Sequence, residues 1–250
     1  MKQTGWTVGR WCAAWVLAAG LLAAPAWAEG AARVTFITQP AEMMPKGSTR
    51  WRRLNLNDEV REGDRIRTGM GGRVEILLSK NRVLRVGQAS EMDLPRLFFS
   101  RQENHVDVRL VFGQMWTTLA QPLKKGQESY RVRTPTATLG VKGTRFNVDA
   151  DKDSSEVVLS VVEGEVVTTP PPPPPPEAGP RREISGPQEI APPQEVTREE
   201  WSVIVGKNKK AVFRPGAGKP QVTALTEDDL DQDWEAFNLQ RDAELGKLGK

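Results

Sequence analysis

The sequence predicts an all-β fold, an antiparallel sandwich or roll of many short strands, with a C-terminal amphipathic helix behind it. Three observations carry this expectation. From Arg33 onward the dominant hydrophobic period is two. Gly-rich and polar turn signals fall between these runs at short intervals. Beyond residue 225 the period lengthens to that of a helix. No strand–helix alternation is present, which argues against a Rossmann-like or TIM architecture.

The first element is a leader. Lys2 and Arg10 precede an uncharged run from Trp11 to Ala28 that ends in Pro25-Ala26-Trp27-Ala28. A basic start, an apolar stretch and small residues at the −3 and −1 positions predict a secretory signal over residues 1–28, cleaved after Ala28. The rival is a retained anchor, but a spanning helix wants about 20 apolar residues, and this run is broken by Gly20 and Pro25. Cleavage removes Cys12, the single cysteine, leaving neither disulfide nor thiol nucleophile. It also removes Lys2 and Arg10, so 33 basic side chains face 32 acidic ones. With no basic stripe there is no footprint for a phosphate backbone, and nucleic acid is not an expected partner. The expected location is periplasmic or secreted, with no membrane span after cleavage.

The second element is a β domain over residues 32–168. In His105-Val106-Asp107-Val108-Arg109-Leu110-Val111-Phe112, alternation puts Val106, Val108, Leu110 and Phe112 on one face and Asp107 and Arg109 on the other. Val74–Leu78 and Tyr130–Arg133 read the same way. Met70-Gly71-Gly72, Ser79-Lys80-Asn81, Lys124-Lys125-Gly126 and Glu163-Gly164 supply turns. Short strands so punctuated read as a sandwich, roll or barrel.

Residues 169–198 form a proline-rich loop or linker. Seven consecutive prolines, Pro170 to Pro176, cannot donate to a sheet and favour an extended polyproline II rod. Two readings stand: a long loop within one domain, or a polyproline ligand for a partner. The loop reading gains from residues 199–215, which predict a returning strand pair too small to stand alone. The last element is a helix over residues 225–246. Thr226 is its expected cap, with Glu227, Asp228 and Asp229 at the positive end of the dipole. Leu230, Trp234 and Phe237 form one apolar stripe, continued by Leu245. That stripe either packs against the β domain or docks another protein.

Catalysis is not expected, and no cofactor or metal is. His105 is the only histidine, so no His cluster can bind zinc or copper, and no G-x-S-x-G elbow occurs. Asp149-Ala150-Asp151-Lys152-Asp153 lacks the central Gly and closing Glu of a calcium loop and reads as a polar hairpin loop.

Three segments together resemble the FecR family. They are Gly63-Asp64-Arg65-Ile66-Arg67-Thr68-Gly69, then Thr134-Pro135-Thr136-Ala137 through Gly140, Gly143, Thr144 and Phe146 to Val148, then Val162-Glu163-Gly164-Glu165-Val166. The likeness spans about residues 60–167. The motif residues themselves have structural readings. Gly69 and the Gly71-Gly72 pair supply positive φ, Gly140 and Gly143 interrupt one strand from Ala137 to Val148, and Gly164 turns a hairpin. The resemblance implies a periplasmic, non-enzymatic module in protein–protein signalling. In the family's iron-transport regulators such a domain reads an outer-membrane transporter and passes its state to a sigma factor. Only about ten residues precede the apolar stretch here, too few to hold a sigma factor, so the expectation is a stand-alone envelope protein.

Two functions follow as expectations. The first is a module that binds another envelope protein, in signalling or assembly, through the β surface, an edge strand or the stripe of Leu230, Trp234 and Phe237. The second is a glycan- or peptidoglycan-associated structural protein using Trp51, Trp116 or Trp201 as a stacking platform, although alternation places Trp201 in line with Val203 and Val205. Direct iron-chelate binding lacks a ligand cluster.

Overall fold

A computed structural model describes residues 31–79, 82–100, 102–172, 201–229 and 231–248. The leader with its cleavage site after Ala28, the proline-rich segment beyond Pro172, and Leu230 lie outside the described residues.

The β-rich expectation holds, with one helix at the C-terminal end. In chain order the strands begin with β1 (Ala31–Thr38), β2 (Ala41–Met44), β3 (Arg52–Arg53), β4 (Glu59–Arg61), β5 (Arg65–Thr68) and β6 (Arg73–Ser79). There follow β7 (Arg82–Val86), β8 (Glu91–Phe99), β9 (Asn104–Leu119), β10 (Glu128–Arg133), β11 (Thr138–Val141) and β12 (Arg145–Ala150). The set closes with β13 (Val157–Glu163), β14 (Glu165–Thr169), β15 (Val203–Gly206), β16 (Lys209–Phe213) and β17 (Gln221–Ala224). A 3-10 turn, Glu227–Asp229, leads to α1, Gln232–Leu248.

These strands make one hydrogen-bonded system of two layers. The first layer runs β4-β1-β6-β7-β9-β12-β13-β16-β17. The second runs β3-β2-β5-β8-β9-β10-β11-β14-β15. Strand β9 belongs to both: Asn104 to Phe112 pairs in the second layer, and Gly113 to Leu119 in the first. The crossing falls at Gly113 (φ 93°), where a Cβ would stand 2.2 Å from Ser90 Oγ, so only glycine admits the bend. Among the described strands β9 and β10 run parallel, and the other pairings are antiparallel.

Alternation decides what lies between the layers. Val74, Ile76, Leu84, Met115, Phe146, Val148, Leu159 and Ala211 point inward from the first layer; Ile66, Met92, Val108, Leu110, Val132, Leu139 and Val166 meet them from the second. All are buried in one cluster, which is the principal source of stability. Within it the Thr117 and Tyr130 hydroxyls bond across the layers at 3.0 Å. Burial pushes the Tyr130 phenol well above its ordinary pKa, against the lowering effect of that bond.

The helix differs from its expected bounds. Thr226 donates from N and Oγ1 to Asp229 Oδ2 at 2.8 and 2.7 Å, closing the 3-10 turn instead of capping α1. Asp229 is drawn there because it also pairs with Lys210 of β16. The cap is Asp231, whose Oδ1 accepts from Asp233 N and Trp234 N at 3.2 Å each. A further strand, β17, stands between the returning pair and the helix and extends the first layer beyond residue 215.

Candidate functional site

Most of the motif residues sit where the chain passes from one layer to the other. Gly63 and Asp64 join β4 to β5, Thr68 and Gly69 join β5 to β6, Gly143 and Thr144 join β11 to β12, and Gly164 joins β13 to β14. Asp64 is buried, and its two oxygens accept from Lys46 N (3.0 Å) and Arg61 N (2.8 Å). Thr68 Oγ1 donates to Gly87 O at 2.6 Å and accepts from Ser90 N at 3.0 Å. Thr134 and Pro135 turn β10 into β11: Thr134 Oγ1 accepts from Ala137 N at 3.0 Å, and Pro135 is exposed. Thr144 and Phe146 are buried.

Several local expectations change. Residues 137–148 are two strands in different layers, because Gly143 (φ 84°) turns the chain at the layer edge. Gly164 turns no hairpin: β13 and β14 pair with different neighbours, and its Cβ would meet Gly143 O at 2.6 Å. Gly71 has positive φ, whereas Gly69 and Gly72 are needed because Pro40 lies against them. His105 lies at the start of β9, as its place in the alternating run implies, bonded through Nδ1 to Ser129 Oγ at 2.8 Å. The expected polar hairpin loop between β12 and β13 runs from Asp151 to Glu156, while Asp149 and Ala150, expected in it, are the last residues of β12.

The two outer faces differ. On the first layer, direct cross-strand partners form one row: Phe36, Glu75, Arg85, Trp116, Asn147, Ser160, Lys210 and Thr223. Helix α1 lies along this row. Trp234 Nε1 donates to Asn147 Oδ1 at 2.9 Å, and Phe237 packs on Phe36 with ring centroids 5.2 Å apart. Arg73 lies over the Phe237 ring at 4.8 Å. Trp234 and Phe237 thus pack against the chain's own sheet.

The C-terminal half of α1 is held by charge. Arg241 Nη2 binds Glu75 at 2.6 Å, Asp242 binds Arg85 at 2.7 Å and Arg145 at 2.9 Å, and Thr118 Oγ1 donates to Asp242 at 2.9 Å. Glu75 and Arg85 side chains are 0% exposed and joined at 2.7 Å. Burial alone pushes the Glu75 carboxyl up, but Arg241, Arg85 and Thr35 outweigh it and hold the group below its ordinary pKa. This charged cover was missed by sequence reading, since alternating Glu and Arg look like a solvated strand face.

The outer face of the second layer carries no helix among the described residues. It presents Glu42, Arg67 and Glu91 in one row and Arg65, Asp93, Arg109 and Arg133 in the next. A third row reads Arg96, Asp107, Arg131, Gly140, Val167, Ile204. Arg67 and Arg65 stand over the Trp51 ring at 4.2 and 5.7 Å. Trp116 is buried, and Trp201 is 7% exposed and stacked on Phe213. Of the three proposed stacking tryptophans, Trp51 alone is partly accessible.

Residues 64–167 match the FecR family model, described as FecR protein. Two crystal structures of a "putative anti-sigma factor" from Parabacteroides distasonis ATCC 8503 resemble the chain at 17% identity and a TM-score of 0.46. The likeness covers 69% of this chain and 63% of theirs. A search of curated proteins found no match. No helix among the described residues is long and apolar enough to cross a membrane.

Proposed function

We propose, from the FecR match over residues 64–167, that this chain is a periplasmic or secreted, non-catalytic module that binds another envelope protein in signalling or assembly. One observation carries the reading. Helix α1 covers the outer face of the first layer, while the equivalent face of the second layer offers rows of arginines and carboxylates to solvent. A sheet face with exposed guanidiniums beside aliphatic side chains is suited to protein contacts, where arginine is over-represented. The secretory pattern of residues 1–28 supports the location.

The test is crosslinking in living cells with a tagged chain, followed by mass spectrometry. Recovery of a defined envelope protein supports the module. Recovery of cell-wall fragments alone overturns it in favour of a peptidoglycan-associated structural protein. That alternative now rests on Trp51, since Trp116 and Trp201 are withdrawn into the fold.

A further inference from the structure

Gly140 stands in the middle of β11 with its missing side chain directed to the open outer face, because its neighbours Leu139 and Val141 are buried in the core. Nothing in the backbone requires glycine there. Its φ is not positive, and a Cβ would meet only Val167 O, at an ordinary 3.6 Å. This contrasts with Gly143, three residues on, where a Cβ would stand 2.7 Å from Pro122 Cα. A glycine inside a strand costs stability and gives up a side chain that could pack. The remaining reason for glycine in a strand is close approach of another molecule to the backbone.

The surroundings say what could approach. Across the strands Gly140 is paired on one side with Arg131 and on the other with Val167, itself paired with Ile204. Ile204 is 61% exposed. Arg109 and Arg133 flank Arg131 on the same face. Each acid there is shared by two arginines: Asp93 pairs with Arg65 at 2.8 Å and Arg109 at 3.6 Å, and Asp107 also reaches Arg131 at 3.8 Å, leaving the Arg109 and Arg131 side chains 60% and 51% exposed. Arg133 takes the close contact with Asp107 at 2.8 Å.

Building on the binding-module reading, we infer that the Gly140 window is the contact site for the partner, and that the partner offers an acidic protein segment. Its carboxylates would meet Arg109 and Arg131, and an adjacent apolar side chain would lie flat on the Gly140 backbone against Val167 and Ile204. A bare backbone flanked by cations on one side and aliphatic side chains on the other matches that composition. On this reading Gly140 serves access to the backbone and not folding.

The experiment uses the tagged full chain in its native cells with a photo-crosslinking residue at Ile204, and a second probe at Leu239 on the exposed side of α1. Three forms are compared: unaltered, Gly140→Val, and Arg109→Glu with Arg131→Glu. Thermal unfolding of each purified protein is measured alongside. The expected result is a captured protein whose crosslinked peptide is rich in Asp and Glu. Capture should fall at least about tenfold in both variants, with the melting temperature of Gly140→Val unchanged or raised.

Five outcomes overturn the inference. Capture could be indifferent to Gly140→Val, or that variant could melt well below the unaltered chain, making the glycine a folding requirement. The Ile204 probe could crosslink to residues 173–200 of the same chain, so that the window is covered from within. Finally, capture from Leu239 but not from Ile204 rejects this face while keeping the binding-module reading. Capture of no protein from either probe rejects both.

Discussion

Glu75 and Arg85 are direct cross-strand neighbours on the outer face of a sheet, yet both are fully shielded from water and joined at 2.7 Å. The shield is α1, which adds Arg241 to the acid and Asp242 to the base. The helix therefore covers a closed set of charges. Such a set contributes little net stability relative to an apolar equivalent, but losing one member strands a buried charge.

Arg85→Ala should destabilise the protein by about 3–5 kcal/mol, read as a lowered urea midpoint with an unchanged slope. The pair Glu75→Leu with Arg85→Met removes both fully buried charges and should cost less than Arg85→Ala alone, since Asp242 keeps Arg145 and Arg241 keeps Glu244. Equal losses in both proteins would show that packing volume, not charge, matters here.

Acid should unfold the protein in a window set by its bound carboxylates. Burial opposes ionisation of Glu128, but the Lys124 backbone N–H, Arg82 and Asn104 outweigh it and hold the carboxyl at about 2, below the 4.5 of an unperturbed group. A depressed native pKa gives stability that is present above the unfolded value and lost as pH falls through the native one. Glu75 adds a loss of the same sign. Melting temperature measured from pH 6 down to pH 2 should fall mostly below about pH 4.5. Glu128→Gln should flatten that fall, and an unchanged slope would reject the assignment.

Ending the chain before Asp231 should wet the row beneath the helix. Trp116 lies between Arg85 and Asn147, both bonded by α1 side chains, and is itself fully buried. The truncated protein should retain a β-type far-UV spectrum and show red-shifted tryptophan emission. Because Trp234 is removed as well, comparison with Trp234→Phe in the full chain isolates Trp116.

The corners should be intolerant. Gly143→Ala forces a Cβ to 2.7 Å from the Pro122 backbone at φ 84° and should cost about 1–3 kcal/mol. Asp64→Ala leaves the Lys46 and Arg61 amides without their acceptors, at about 1–3 kcal/mol. Either variant melting with the unaltered protein would reject the corner account.

Much of this was legible in local pattern. Val106, Val108 and Leu110 alternate with Asp107 and Arg109, and the core takes the first set. Thr134, and Asp64 through its bond to Arg61 N, act within a few residues of themselves, as turn residues do. The helix start was less legible: Thr226 and Asp231 are both sound caps by type, and the choice was made by Lys210, distant in sequence, drawing Asp229 into the 3-10 turn.

The glycines divide the same way. Gly63, Gly69, Gly140, Gly143 and Gly164 are one residue type in one family pattern, but their reasons differ. Gly143 is required by the Pro122 backbone, Gly164 by the Gly143 carbonyl across a layer edge, Gly69 by Pro40, and Gly140 by nothing within the described chain.

By itself the sequence determined the strand content, the inward set of side chains, most turns and the FecR likeness, because each depends on neighbours within a few residues. Tertiary structure alone decided which alternating charges are buried. The row from Phe36 to Thr223 joins eight strands whose registers are set by pairings far apart along the chain. A strand's outward residues carry the same pattern whether water or a helix lies over them. Glu75 and Arg85 became interior groups, and Arg109 and Arg131 stayed at the surface, only because α1 lies across the first layer and not the second.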